Sequence, residues 1–291
     1  MKFILGTVQF GLKYGINNSL GKPSQIEVNS ILDYAFECGV KLLDTAEAYG
    51  DSQEVIGKYH KESHNRFDII TKFSSKRNDL DSSLTKRISQ NLETLKVDYL
   101  YSYMFHSFSD FKLFYPEFKC ELMELKRQNI IKKIGVSVYT NEEIQEVIKN
   151  NNEVDLIQMP FNLLDNNTQR LSIIKKMKER EIEVHTRSVF LQGLFFKEQN
   201  QLPLNLQMFR PYLEQLRSIA SSHSINLNDL SIGYVNQQEG IDKILLGVDS
   251  VDQLKRNVLA LKIILPKGVS EKIDSIEVSD KILLNPSNWS K

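Results

Sequence analysis

VKLLDTAEAYG, residues 40–50, carries a short apolar β-type run (VKLLDT, 40–45) directly into a loop. That run brings Asp44 to its end, and Tyr49 stands five residues further on. A bounded apolar run of this length reads as a strand buried on both faces of a parallel sheet. Seven more runs share its form: FILGTV (3–8), DIITK (68–72), YLYSYMFH (99–106), KIGVSV (133–138), DLIQMP (155–160), IEVHTRS (182–188) and KILLGV (243–248). Amphipathic segments lie between them. In the first, Ile26, Ile31, Leu32, Ala35 and Phe36 fall close to one helical stripe. Others are SSLTKRISQNLETL (82–95) and NEEIQEVIKN (141–150), the latter with Asn141 and two glutamates as an expected N-cap and charged first turn. Strands alternating with helices define an α/β protein with a parallel sheet. An open doubly wound sheet and a (β/α)8 TIM barrel are the two closures available. Eight strands within about 250 residues favour the barrel.

No Pro/Gly-rich linker divides residues 1–291, so the chain reads as a single domain. Residues 190–208, after the seventh strand, form the one long stretch without a helical or strand pattern, and a loop of that length is expected to serve function. Residues 265–291 are expected to form a C-terminal tail over the barrel.

The 37 basic and 37 acidic residues cancel, leaving no global field to recruit nucleic acid or an anionic membrane. The basic patch KRQNIIKK (126–133) is broken by apolar residues and reads as a solvated helix end. Cys38 and Cys120 make neither a disulfide framework nor a metal site, and Cys38 reads as a small core residue. No apolar stretch reaches the roughly 20 residues that cross a bilayer, and MKFILGTVQFG is too quickly interrupted for a signal peptide. A cytoplasmic protein, monomeric or a small homo-oligomer, is expected.

In a barrel the active site forms where the strands end. Strand two ends at Asp44, with Tyr49 just beyond; strand three ends in Lys72 and strand four in His106. One ionisable group at a strand end is usually structural, but three on successive strands, with a phenol, are hard to assign to packing. A tyrosine hydroxyl ordinarily titrates near 10. A lysine alongside is expected to stabilise the phenolate and lower that value, with an aspartate keeping the lysine charged and a histidine holding a substrate oxygen. The device is a proton donor poised against a carbonyl oxygen, and a hydride completes it.

With these residues in place, the sequence resembles the aldo-keto reductase superfamily over about residues 3–262. LDTAEAYGDSQEVIG resembles its second-strand signature, IITKF carries the lysine and MFHSF the histidine. KKIGVSVY and LIQMPFNLLD resemble cofactor segments in which Ser137 and Gln158 would hold the nicotinamide amide. VHTRSVFLQGL, with Arg187 and Ser188, resembles the seventh-strand segment beside the cofactor, and LLGVDSVDQLKRNV, with Gly247, resembles the eighth, in which Asn257 would meet the adenine. The resemblance implies NAD(P)H bound in extended form without a Rossmann fold, consistent with the absence of a GxGxxG fingerprint. It implies Tyr49, Asp44, Lys72 and His106 as catalytic residues, with Tyr49 donating a proton as hydride reaches an aldehyde or ketone and makes an alcohol.

Three positions depart from the pattern. Val138 stands where the family often has asparagine. Arg187 replaces a stacking tyrosine, and is expected to stack by its guanidinium, grip a cofactor phosphate or an anionic substrate, or form a salt bridge at the rim. Asp249 stands where NADPH-selective members carry basic residues and would repel a 2′-phosphate. Lys255 and Arg256 compensate further along, so NADPH and NADH both stand as coenzymes.

His60 and His64, four apart, lack the glutamate of HExxH and a third ligand, so they read as exposed helix-end histidines and no metal is expected. A Schiff base on Lys72 fits less well than a reductase, given its neighbours. Phe195, Phe196, Phe209 and Tyr212 are candidates for a substrate-pocket wall, and Trp289 for a pocket lid or a surface-docked tail. Asn162, Asn200 and Gln207 would suit a hydroxylated, sugar-type carbonyl. The competing reading is a cofactor-binding regulatory or partner subunit with little turnover, as in the β subunits of potassium channels. A strand beginning at residue 3 is set against the channel-specific form.

Overall fold

The computed structural model describes residues 1–18, 21–75 and 83–289. Ser82 and the last two residues of the 265–291 segment therefore lie outside the described residues. Strands β1 (Phe3–Gly6), β2 (Leu42–Asp44), β3 (Asp68–Phe73), β4 (Leu100–Phe105), β5 (Ile131–Ser137), β6 (Leu156–Pro160), β7 (Glu183–Arg187) and β8 (Lys243–Gly247) pair in parallel, each with the next. β8 returns to β1 with Ile4 opposite Leu245 and Gly6 opposite Gly247, closing the barrel. All eight expected runs are strands, and the (β/α)8 TIM barrel is the observed closure.

Helices α1 (Val8–Gly11), α2 (Gln25–Glu37), α3 (Ser52–Glu62), α4 (Leu84–Leu95), α5 (Phe108–Arg127), α6 (Asn141–Asn150), α7 (Asn167–Lys178), α8 (Arg210–Ser222), α9 (Leu227–Asn236), α10 (Val251–Ala260) and α11 (Val269–Asp274) connect or follow the strands. Strand side chains alternate between two environments. One set packs outward against helix residues such as Ile31, Ile56, Ile88 and Val147. The inward set forms a smaller cluster of Ile4, Leu42, Ile70, Met104 and Leu156, which fills the barrel. The next inward positions along β2, β3 and β6 are Asp44, Lys72 and Gln158, so the core gives way to polar groups at the C-terminal mouth.

Several local expectations are corrected. Ile26 is 79% exposed and stands off the buried face made by Val28, Ile31, Leu32 and Ala35. The N-cap of α6 is Thr140, whose extended backbone lets its hydroxyl accept from Glu143 N in a capping box. Asn141 is instead the first helical residue, its amide donating to Gln169 O. KRQNIIKK is split between the end of α5 and the start of β5, with Lys126 paired to Asp155 and Lys133 to Glu183. Residues 190–208 are largely 3-10 turns, Leu191–Phe196, Gln199–Gln201 and Leu204–Phe209.

His60 is fully buried rather than exposed. Its Nδ1 lies 2.8 Å from Leu95 O, and its Nε2 accepts from Phe67 N. Only His64, beyond the end of α3, is exposed. Among the described residues no group of three or more His, Cys, Asp and Glu side chains is arranged to hold a metal ion. Nor, among them, is any helix long and apolar enough to cross a membrane.

Candidate active site

The strand ends converge on a cavity of about 560 Å³ at the C-terminal mouth of the barrel, lined by Asp44, Tyr49, Lys72 and His106. Asp44 and Lys72, each 1% exposed, form an ion pair inside the wall. Lys72 Nζ also donates to Thr45 O at 3.0 Å, and Gln158 Nε2 donates to Asp44 Oδ2 at 2.9 Å. Both charges are thus compensated and held in one orientation, a requirement for keeping them out of water. Lys72 Nζ stands 5.1 Å from the centre of the Tyr49 ring, and the His106 ring meets that ring edge-on at 5.4 Å.

The β2 loop is fixed by its backbone. Tyr49 N donates to Ala46 O, Glu47 N to Lys72 O, and Ser52 N to Tyr49 O. Gly11 and Gly50 permit the loop to lie against α1. A Cβ on Gly11 would sit 1.7 Å from Tyr49 O, and Gly50 adopts φ +57° with its missing Cβ 2.5 Å from Gly11 O. The Glu47 side chain, buried below the loop, accepts from Arg87, Asn91 and Tyr103.

The electrostatics reverse one expectation. Desolvation in the cavity pushes the Tyr49 hydroxyl well above its usual value, and the Asp44 carboxylate adds to that; the Arg187 charge only partly opposes them. The expected net lowering is not observed, because desolvation and the Asp44 carboxylate outweigh the cations nearby. Lys72 itself is pulled down by burial, against the pull of Asp44. Tyr49 is therefore protonated rather than a standing phenolate.

The cavity extends from this cluster past Ser137, Gln158, Arg187 and Ser188 to Gly247, Asp249, Arg256 and Asn257. Arg187 Nε donates to Ser137 Oγ at 3.2 Å and Nη2 to Val138 O at 3.1 Å, while the guanidinium stacks 4.0 Å over the Tyr139 ring. Among the described residues no carboxylate pairs with Arg187, so the salt bridge expected at the rim is not formed. Val138 is itself fully buried and contributes its carbonyl rather than its side chain. At the far end Asp249 is braced by Asn18 Nδ2 at 3.3 Å, and its own N–H donates to Gln253. Arg256 lines the cavity, whereas Lys255 turns toward Asp252 and the Tyr34 ring.

The donor set fits an extended dinucleotide. A Cβ on Gly247 would lie 2.5 Å from the Gln9 amide, so the glycine lets Gln9 pack flat against the wall of the cavity. Gln9 Oε1 is buried in the same wall without a hydrogen-bond partner, an acceptor awaiting a donor.

The substrate-wall expectations are mostly displaced. Phe195 and Phe209 are fully buried in the core, Tyr212 bonds Ser279, and Phe196 alone of the four lines the cavity. Trp289 packs edge-on against Phe209 at 5.8 Å and donates to Leu283 O at 2.8 Å, which docks the tail; Pro286 reaches the cavity in its place. Asn162 braces its own loop by accepting from Leu164 N and Asp165 N, Gln207 donates to Leu202 O, and Asn200 lines a separate shallow surface pocket. None of these three lines the cavity with Asp44, Tyr49, Lys72 and His106. Tyr14, Asn17 and Tyr139 line the cavity and were missed. They come from loops without a periodic pattern, where sequence gives no signal of direction.

A model of the Aldo/keto reductase family matches residues 2–278. The chain is 25% identical over 300 residues to the NADH-specific methylglyoxal reductase of Escherichia coli, covering 89% of each chain. It is 24% identical to the D-arabinose 1-dehydrogenase of Saccharomyces cerevisiae, covering 80% of this chain and 76% of that one. Among solved structures it resembles the holo form of the aldo-keto reductase AKR11C1 from Bacillus halodurans, with a TM-score of 0.76, 20% identity, and 96% of this chain and 93% of that chain covered.

Proposed function

The chain belongs to the aldo/keto reductase family of NAD(P)H-dependent oxidoreductases, and from that premise we propose that it reduces a small aldehyde or ketone to the alcohol, with Tyr49 as the proton donor. The observation that supports this most is the enclosed Asp44–Lys72 pair beside Tyr49, with the His106 ring against the same phenol.

Ser137, Gln158, Ser188, Gly247 and Asn257 would hold the dinucleotide along the cavity. Bound there, the dinucleotide would supply a hydride for the carbonyl carbon. The residues of the chain do the rest. His106 offers a ring N–H to the carbonyl oxygen and fixes it near the Tyr49 hydroxyl. Tyr49, held protonated by desolvation, keeps its proton until the oxygen becomes strongly basic, and then gives it up. The Lys72 ammonium next to the ring stabilises the phenolate that remains, and Asp44 keeps that ammonium charged and aimed.

The test follows nicotinamide absorbance with NADH and NADPH over a panel of aldehydes and ketones, for wild type and Tyr49→Phe. Turnover by wild type with a loss of about 2 or more orders of magnitude in the variant supports the assignment. Tight coenzyme binding without reduction of any carbonyl would overturn it and leave a cofactor-binding partner subunit as the reading.

A further inference from the structure

Arg187 is the charge in the catalytic end of the cavity that the mechanism does not use. Asp44 and Lys72 cancel each other, and among the described residues no carboxylate pairs with the guanidinium. Its neighbours are neutral: the Ser137 hydroxyl, the Val138 carbonyl, the Ser188 hydroxyl at 3.4 Å and the Tyr139 ring beneath it. These contacts occupy three of its five N–H groups and set its plane. They do not neutralise it.

The location is specific. Arg187 ends β7 at the mouth and donates to Ser137, whose neighbour across the sheet, Gln158, hydrogen-bonds Asp44; this places it at the reacting end of the cavity rather than the Asp249–Asn257 end. A half-buried guanidinium held by neutral groups, with donors to spare, is a fork for a planar or tetrahedral oxyanion.

We infer that Arg187 is a specificity-determining residue that binds an oxyanion, a carboxylate or a phosphate, carried by the carbonyl substrate itself. The preferred substrate is then a small oxo-acid or phosphorylated carbonyl compound rather than a neutral aldehyde. This rests on the proposed reductase function for its chemistry, but not for the binding it requires.

Binding is therefore tested apart from turnover. Benzoate, phenyl phosphate and benzamide are titrated by calorimetry into wild type, Arg187→Met and Arg187→Lys, each saturated with NADH. The expected result is that wild type prefers at least one of the two anions over benzamide by about tenfold or more. Arg187→Met abolishes that preference, and Arg187→Lys, which keeps the charge without the fork, retains part of it. The tighter anion identifies the oxyanion. In parallel, kcat/KM for succinate semialdehyde against butanal is compared within each protein, and the ratio falls by a similar factor in Arg187→Met.

Equal binding of anions and benzamide to wild type would overturn the inference. So would a preference that survives in Arg187→Met. If that variant loses NADH affinity while keeping the anion preference, the guanidinium serves the dinucleotide and the inference again falls. If the preference is present and depends on Arg187 but no carbonyl is reduced, the reductase assignment fails and the anion site stands.

Discussion

The Glu47 carboxylate and the Arg87 guanidinium form an ion pair in which neither side chain is more than 2% exposed, two residues before Tyr49. Arg87 Nε lies 2.8 Å from Glu47 Oε2, and the other oxygen, Oε1, accepts from Tyr103 and Asn91 at 2.8 Å each. The pair ties the β2 loop to α4 from below.

Arg87→Met leaves that carboxylate enclosed without its cation. Loss of one partner of such a pair costs about 3–5 kcal/mol, which urea unfolding will register as a lower midpoint. Adding Glu47→Gln to the same chain should recover part of the loss. If the single variant unfolds like wild type, the pair is not what fixes the loop.

Tyr49 gives a pH dependence with a definite sign. Its hydroxyl is raised above 10 by desolvation and by Asp44. It stays protonated, and able to donate, through neutral pH and beyond its ordinary value. With saturating coenzyme, kcat for reduction should show no decline assignable to Tyr49 until the pH passes about 10. A decline near neutrality that disappears in Tyr49→Phe residual activity would contradict this.

His60 links stability to acid. Burial lowers its pKa from the unfolded 6.5 by desolvating the charged ring; the hydrogen bond to the Leu95 carbonyl opposes this and the Arg66 charge adds to it. Below 6.5 the unfolded chain therefore binds the proton that the folded chain refuses. Stability falls as pH drops through that window, by up to about 1.4 kcal/mol per pH unit from this residue. His60→Asn should show a shallower slope between pH 6.5 and 5 in denaturant midpoints, whatever its stability at pH 8.

Coenzyme choice is expected to be set at the other end of the cavity. Asp249→Ser removes a carboxylate from the wall and should raise the NADPH-to-NADH ratio of binding constants by about tenfold. Arg256→Gln should lower it by a similar factor. Fluorescence titration of each coenzyme reads both, and an unchanged ratio in the two variants would place 2′-phosphate discrimination elsewhere.

The barrel was legible because parallel strands are short apolar runs with polar ends, and the same property delivered Asp44, Lys72 and His106 as a set. What escaped was direction and distance. Two histidines four apart look alike in sequence, yet His60 points into the core and His64 into solvent. Phe195 and Phe196 are adjacent, and only backbone angles decide which faces the cavity; here Gln192 and Gly193, both at positive φ, turn that segment. Glu47 and Arg87 stand 40 residues apart, and no local pattern announces their meeting. The shift of Tyr49 was misjudged for a related reason. The net shift of a phenol depends on how deeply it is buried and how near a carboxylate stands, which are matters of contact rather than of order along the chain.

The pairing of β1 with β8 has a consequence for synthesis. A nascent chain makes Phe3–Gly6 first, yet the register from Phe3–Ile244 to Gly6–Gly247 joins it to a segment that leaves the ribosome some 240 residues later. Until then β1 and β7 each present an unsatisfied row of backbone amides and carbonyls. A stop between β7 and β8 would yield not a smaller reductase but an open sheet with two adhesive margins. The last strand is in that sense the protein's own protection against aggregation, delivered at the end of translation.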